Sequence, residues 1–395
     1  MAPELPDWLA SGIAAPPPER LRQRRTVTKT DGVWLDVDGQ RLLGFCSNDY
    51  LGLAQDPALC EAMLAGVRRW GIGSGASHMV SGHCAAHSAL ERRAAAWLSC
   101  DRALLFSSGY LANLAAVTAL AGPNVSLYAD RLNHACLNDG ARLAGGRLRR
   151  YPHADTDTLA RWLANDPNPQ KWVITDGVFS MDGDIAPLRR LLELCHAYDA
   201  MLLVDDAHGF GVLGEGRGSL AASGLLVQGQ PLDPRIVLMV TLGKAAGVCG
   251  ALLLGSAPVI DAVAQRGRSY LFTTAMPPAL AEAADAALQR LADADCAGRR
   301  AHLAALTAEL AAGLVGVDGV PAILPTPIVP VLVGSDTAAV ALAGALREAG
   351  LWVPAIRPPT VPKGTARLRI SLSARHRPEH VEHLVYALKE SLVHG

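Results

Sequence analysis

The sequence predicts the α/β fold class, a mostly parallel sheet covered by helices, and three observations carry that reading. Short apolar runs recur at Arg102–Phe106, Ser126–Asp130, 172–175, 201–205 and 236–240. Each is of strand length and ends in turn-forming or polar residues, the pattern of a strand buried on both faces. Helical stretches separate the runs from about residue 101 to 256, and such alternation builds parallel sheets with right-handed crossovers. Chemistry also gathers where the runs end. One leads into Asp205-Asp206-Ala207-His208-Gly209, another into Thr241-Leu242-Gly243-Lys244. Ligands in open α/β sheets bind outside the carboxyl ends of the strands, so Asp205, His208 and Lys244 are candidates to face one.

Taken in order, residues 5–14 allow a short helix stopped by Pro16-Pro17-Pro18, and 19–25 reads as a basic helical turn. A β-hairpin follows over 33–37 and 41–46 around Asp38-Gly39, the strongest short-range hairpin signal. The turn-rich Ser47-Asn48-Asp49-Tyr50-Leu51-Gly52 closes an N-terminal segment, 1–52; a large domain is expected over 53–290 and a C-terminal α+β unit over 291–395. Pro57–Trp70 has helical periodicity. The glycines of Gly71-Ile72-Gly73-Ser74-Gly75-Ala76-Ser77 follow a helix, whereas a dinucleotide fingerprint follows a strand. A flexible, substrate-lining loop is the expectation there. His83 and His87 are spaced like metal ligands on the next helix, but no glutamate is adjacent and no third ligand is evident. They read as a helix-surface pair, and no metal site is expected.

After the strand at Arg102–Phe106, Ser107-Ser108-Gly109-Tyr110 opens a helix at 111–120. A strand, a Ser/Gly turn and a helix N-terminus make an anion cradle of free backbone N–H groups; an ordinary βα turn with a serine cap is the alternative. His134, beyond the strand Ser126–Asp130, is either a core histidine or a ring that stacks on an aromatic cofactor. Asp176-Gly177-Val178-Phe179-Ser180 follows the strand at 172–175, and a helix at 188–198 leads to the Asp205 strand. The pattern breaks at 271–278. An alanine-rich helix or helix pair spans 279–314, followed by a strand at 328–333, a helix at 337–349, a strand at 367–371 and a last helix at 378–392.

The chain has 395 residues, half of them apolar, with a formal charge of −1. That balance argues against nucleic acid or an anionic membrane as a partner. Eight scattered cysteines without a CxxC suggest reduced thiols in a cytoplasmic protein. The start of the sequence lacks a signal-peptide core. The uncharged run 103–129 is interrupted by glycine and proline, leaving no stretch that spans a bilayer.

Of five lysines, Lys244 alone lies in apolar and glycine context at a strand end. Desolvation lowers a lysine's pKa and suits it to Schiff-base chemistry. A strand-end lysine and a strand-end carboxylate are together what pyridoxal 5'-phosphate (PLP) requires: an imine partner and a counter-ion for the pyridine nitrogen.

These stretches, with Phe179-Ser180-Met181-Asp182-Gly183-Asp184, Ala275-Met276-Pro277-Pro278, Arg357-Pro358-Pro359-Thr360-Val361-Pro362 and Gly364-Thr365-Ala366-Arg367-Leu368-Arg369, resemble the α-oxoamine synthases. These are PLP enzymes of the aspartate-aminotransferase fold type, and the resemblance runs from about Arg22 to the C-terminus. It implies a large domain with a seven-stranded-type sheet and a smaller C-terminal domain. It implies that Lys244 binds PLP, Asp205 pairs with the pyridine nitrogen, and His134 stacks on the ring. Ser180 and His208 would flank the phenolic oxygen, and Gly109, Tyr110 and Thr241 would serve the phosphate. Asn48 and Arg369 would hold the amino-acid carboxylate; Arg22 and Thr360 would contact the acyl substrate. Family members are homodimers, so Thr273 and Thr274 would reach the partner's phosphate.

The resemblance further implies the reaction of L-alanine with a pimeloyl thioester, on CoA or an acyl carrier protein, in biotin synthesis. Ala207-His208-Gly209 and Ala275-Met276-Pro277-Pro278 set it apart from the sister reaction of glycine with acetyl-CoA. A non-catalytic synthase subunit usually lacks the lysine that is present here. Two places depart from the family pattern: Ala76 and His78 in the glycine loop, and Ala245-Ala246-Gly247 after the lysine.

Overall fold

The computed structural model describes Pro6, Trp8, Leu9, residues 21–321 and residues 326–393. The helix expected over 5–14 and its proline stop lie almost wholly outside these residues. The basic helical turn expected over 19–25 is not seen in its described part: residues 21–26 are not helical.

Strands β1 (Val27–Asp31), β2 (Trp34–Val37) and β3 (Gln40–Gly44) form an antiparallel meander. Asp38 and Gly39 both take positive φ, 51° and 79°, as a two-residue type I′ turn demands. The sequence reading missed β1, whose five residues are all exposed and offer no apolar alternation. β3 also pairs in parallel with β12 (Leu351–Trp352), tying the meander to the C-terminal part of the chain.

Helix α1 (Pro57–Trp70) begins where its sequence says. The Asp56 carboxylate accepts the Ala58 N–H at 3.0 Å and Pro57 opens the first turn. Helix α2 is Ala85–Trp97. The central sheet then runs β4 (Arg102–Phe106), helix α3 (Gly109–Leu120), β5 (Ser126–Asp130), helix α4 (Ala135–Ala144), β6 (Arg147–Tyr151), helix α5 (Thr156–Ala164), β7 (Lys171–Asp176), helix α6 (Leu188–Ala197), β8 (Ala200–Asp205), β9 (Ile236–Thr241) and β10 (Ala251–Gly255).

Its seven strands lie in the order β4-β10-β9-β8-β7-β5-β6. Only β10 is antiparallel to its neighbours. Alternate residues enter opposite cores, the period-two signature of a sheet covered on both faces: Leu202 and Val204 on one side, Leu203 on the other. β6 escaped sequence reading because it is an arginine-rich edge. Arg149 there lays its guanidinium 4.2 Å from the Trp162 ring centre, covering the edge by a cation–π contact.

Helices α7 (Ala257–Arg266), α8 (Pro278–Leu291) and α9 (Ala294–Gly313) follow. The expected alanine-rich segment is thus a pair, split where Asp293 caps α9 through the Cys296 N–H at 2.9 Å. β11 (Ile328–Gly334), helix α10 (Asp336–Glu348), β13 (Ala355–Ile356), β14 (Ala366–Ser371) and helix α11 (Pro378–Val393) complete the chain, with β14 central in the sheet β11-β14-β13. No helix among the described residues is long and apolar enough to cross a membrane.

Candidate active site

The carboxyl ends of β7, β8 and β9 deliver Asp176, Asp205 and Thr241 to one cleft of about 200 Å³. Gly109, Tyr110, His134, Ser180, Asp205, His208, Thr241 and Lys244, eight residues singled out from sequence, line it together. Lys244 Nζ lies 2.7 Å from His208 Nε2. Burial lowers the lysine to about 8 from an ordinary 10.5, partly offset by the charge of Asp205. Burial, reinforced by the Lys244 charge, holds His208 well below its usual value, so this imidazole is neutral.

The network assigns a tautomer. With Lys244 as the ammonium, Nζ donates to His208 Nε2, and His208 Nδ1–H donates to Tyr50 Oη at 2.7 Å. The Tyr50 hydroxyl donates to Asn48 Oδ1 at 3.2 Å, and that oxygen also accepts both Arg369 Nη groups at 3.3 Å. A continuous chain therefore links Lys244 to Arg369. Arg369 is buried, and its other partners are neutral: the Ser180 carbonyl at 2.6 Å and the Ser371 hydroxyl at 2.7 Å. Among the described residues no carboxylate pairs with it.

Asp205 forms the floor. It accepts Asn113 Nδ2–H at 2.7 Å and the Ala207 N–H at 3.0 Å. Asn113 leaves its own Oδ1 buried without a partner, so the fold tolerates an unsatisfied atom to keep that donor on Asp205. The neighbouring Asp206 is different in kind. Its Oδ2 accepts the Ser219 N–H at 2.7 Å and it braces the loop after β8. Asp176 lies opposite Asp205 across the β7–β8 ladder and accepts the His134 N–H. Burial first, then the Asp205 charge, push Asp176 well above the carboxylate range.

Ser108 caps α3 by accepting the Leu111 N–H at 3.3 Å, as the serine-capped βα turn requires, and Gly109 and Tyr110 in the first turn line the cleft. Arg22 Nη2 donates to Thr360 Oγ1 at 2.9 Å, uniting two residues 338 positions apart. Thr273 and Thr274 are not part of the cleft lining, and Thr274 bridges to Ser77.

Two expectations are corrected. The 71–79 loop does not line the cleft. It is pinned instead to 275–276, where Ser74 Oγ donates to the Ala275 carbonyl at 2.7 Å and Ala275 N–H donates to the Ala76 carbonyl at 2.9 Å. Nor are His83 and His87 a helix-surface pair. His83 precedes α2, His87 is wholly buried, and His78 supplies a third imidazole beside them.

Tyr50, Asn113 and Asp176 escaped sequence reading. Tyr50 sits inside a quoted motif, and Asn113 is the one amide in the apolar helix α3; both could have been found as polar groups in apolar surroundings. Asp176 was visible only as a strand-end acid.

The family model for aminotransferase class I and II matches residues 40–388, and the chain belongs to that family. A curated relative, the 8-amino-7-oxononanoate synthase of Herminiimonas arsenicoxydans, is 51% identical over 93% of this chain and 94% of its own length. Among solved structures, an 8-amino-7-oxononanoate synthase of Francisella tularensis matches with a TM-score of 0.76 at 28% identity, covering 89% of this chain and 98% of that one. A serine palmitoyltransferase variant of S. paucimobilis with PLP and myriocin bound matches with a TM-score of 0.88 at 28% identity, covering 93% and 92%.

Proposed function

We propose that this protein is a PLP-dependent acyltransferase of biotin synthesis that joins L-alanine to a pimeloyl thioester, releasing CO2 and the free thiol, to give 8-amino-7-oxononanoate. The observation that carries the reading is one hydrogen-bond chain leading from the cleft lysine to an arginine without a carboxylate partner among the described residues, in a chain half-identical to synthases of that name. The donor set suits PLP: an amine, a strand-end carboxylate, an exposed imidazole face and a helix N-terminus surround one space.

Bound there, PLP supplies the electron sink that makes both Cα deprotonation and decarboxylation accessible. Lys244 holds the cofactor's aldehyde end, Asp205 its ring nitrogen, His134 a ring face, and Ser180 and His208 the phenolic side. Gly109, Tyr110 and Thr241 take the phosphate. Lys244 Nζ, with a pKa brought down to about 8, removes and returns the Cα proton. His208 Nε2 fixes where that amine points. Arg369 and Asn48 hold the alanine carboxylate, and Arg369 offers a planar fork for it. Arg22 and Thr360 meet the acyl substrate.

The protein works as a cytoplasmic homodimer in this reading, with Thr273 and Thr274 serving the partner's phosphate. Exposed Ile72, Val80 and Phe272, close in sequence to the Ser77–Thr274 bridge, support a covered surface there. The test is turnover of purified holoenzyme with L-alanine and either pimeloyl-CoA or the pimeloyl carrier protein. Turnover of glycine with acetyl-CoA in place of both would overturn the assignment in favour of the sister reaction.

A further inference from the structure

Outside the cleft, His78, His83 and His87 bring one ligand atom each within 4.8 Å of one another. Their rings lie 5.1 to 5.4 Å apart, centre to centre. His78 Nδ1 and His83 Nδ1 face each other at 2.9 Å. The opposite nitrogens point away from the cluster to acceptors: His83 Nε2 to Ser88 Oγ at 2.8 Å, and His87 Nε2 to the Met276 carbonyl at 2.7 Å. Glu91 Oε2 stands 3.9 Å from His83 Nε2. Imidazoles that converge through one nitrogen while the other is tied to a carbonyl, hydroxyl or carboxylate have the arrangement of metal-binding histidines.

We propose that His78, His83 and His87 form a site for a first-row transition ion of the imidazole-preferring kind, Zn(II) foremost, separate from the active-site cleft. Zn–N bonds of about 2.0–2.1 Å put two nitrogens on a tetrahedral ion roughly 3.3 Å apart, so the His78–His83 pair opens by only a few tenths of an ångström. The proton now shared between the two Nδ1 atoms moves to Nε2 of its own ring, leaving both rings neutral. His87 Nδ1 accepts the Cys84 N–H at 3.0 Å; it joins by releasing that cap bond, which keeps the affinity modest. Burial already holds all three rings below the usual histidine range and so unprotonated near neutrality. The other two clusters of potential ligands do not offer the same. His134, Cys136 and Asp205 belong to the cleft, while Asp293 and Asp295 are occupied by Arg290, with Arg299 also on Asp295.

The ion would brace the 71–82 segment against 270–276, since His78 stacks on Tyr270 at 4.8 Å and His87 holds Met276. The test titrates Zn(II) or Co(II) alone into untagged, chelator-treated holoenzyme, read by calorimetry and by Co(II) ligand-field bands. One ion per chain is expected. His83→Gln, at a half-exposed position, and His78→Phe, which keeps a ring on Tyr270, should each weaken binding at least tenfold. Ser88→Ala should weaken it roughly tenfold, the low end of the usual effect of losing such a support. Should His78→Phe fail to fold, the other two variants carry the result. Absence of stoichiometric binding overturns the proposal. So does binding that survives His83→Gln but disappears when the exposed thiols Cys60 and Cys249 become serine.

Discussion

Lys244 Nζ and His208 Nε2 are 2.7 Å apart, and the imidazole is held neutral on one side of an amine whose own pKa is brought down to about 8. Only a neutral amine attacks an aldehyde. The rate at which the cofactor-free protein captures PLP should therefore rise with pH, level off above about 8, and not keep rising toward the ordinary 10.5. Stopped-flow absorbance across that range decides it. Borohydride should fix the cofactor on Lys244; a labelled peptide carrying Lys29, Lys171, Lys363 or Lys389 would remove it from the role.

Asp205 is fixed by Asn113 and the Ala207 amide before any ligand arrives. Asp205→Asn should bind PLP yet raise the barrier by roughly 3 kcal/mol or more, the scale of losing a principal electrostatic stabiliser. Asn113→Ala removes one hydrogen bond to a charged group, and about 1.5–3 kcal/mol is expected from such a loss. Its kcat should fall ten- to hundredfold while PLP stays bound. If kcat were unchanged in Asn113→Ala, the amide would be a packing residue only.

Strand-end chemistry was legible in the sequence for a physical reason. Parallel strands buried on both faces are almost wholly apolar, so Asp205, Thr241 and Lys244 stand out where the runs stop. The start of α3 was legible because Ser108 and Gly109 are local signals for a helix start. What the sequence hid depends on distant contacts. Tyr50 acquires its place only when it meets His208, 158 residues away, and Asn113 only when it reaches Asp205, 92 residues away. The strand β6 was hidden because it is an edge strand with three arginines in five residues, one of which, Arg149, lies on the Trp162 ring. His78 was hidden because a single π-helical turn, His78–Gly82, and not the ordinary α-helical period, carries it to His83.

His153 supports the loop that presents Ser180. Its Nδ1 lies 3.1 Å from Asp130 and its Nε2 2.8 Å from Asp184. Burial opposes protonation, but the hydrogen bonds and charges of the two acids outweigh it and raise the imidazole to about 10. A raised folded pKa contributes stability fully below the ordinary 6.5 and loses it as pH climbs through about 10. His153→Gln should cost about 1–3 kcal/mol at pH 6, and its deficit against the native protein should shrink steadily up to pH 10. A deficit independent of pH would mean that the histidine acts by packing alone.

Arg367 and Arg369 are two residues apart on β14, both buried, and their partners separate their roles. Arg367 forms an ion pair with Asp182 and donates to the Thr365 carbonyl at 3.0 Å, so its charge is met within the fold. Among the described residues Arg369 meets only amide, hydroxyl and carbonyl oxygens. A buried guanidinium without an anion is costly, and it becomes favourable when a substrate carboxylate supplies one. Arg369→Lys keeps the charge but loses the planar fork. It should weaken L-alanine binding by roughly 1.5–3 kcal/mol, ten- to hundredfold, with little change in melting temperature. Arg367→Lys should do the reverse, lowering the melting temperature and leaving alanine affinity within twofold of native, about 0.4 kcal/mol. Spectral titration with alanine beside thermal melts reads both variants at once. If Arg369→Lys titrated like the native protein, the carboxylate would have to be held elsewhere, and the chain from Lys244 through His208, Tyr50 and Asn48 would end on a structural arginine.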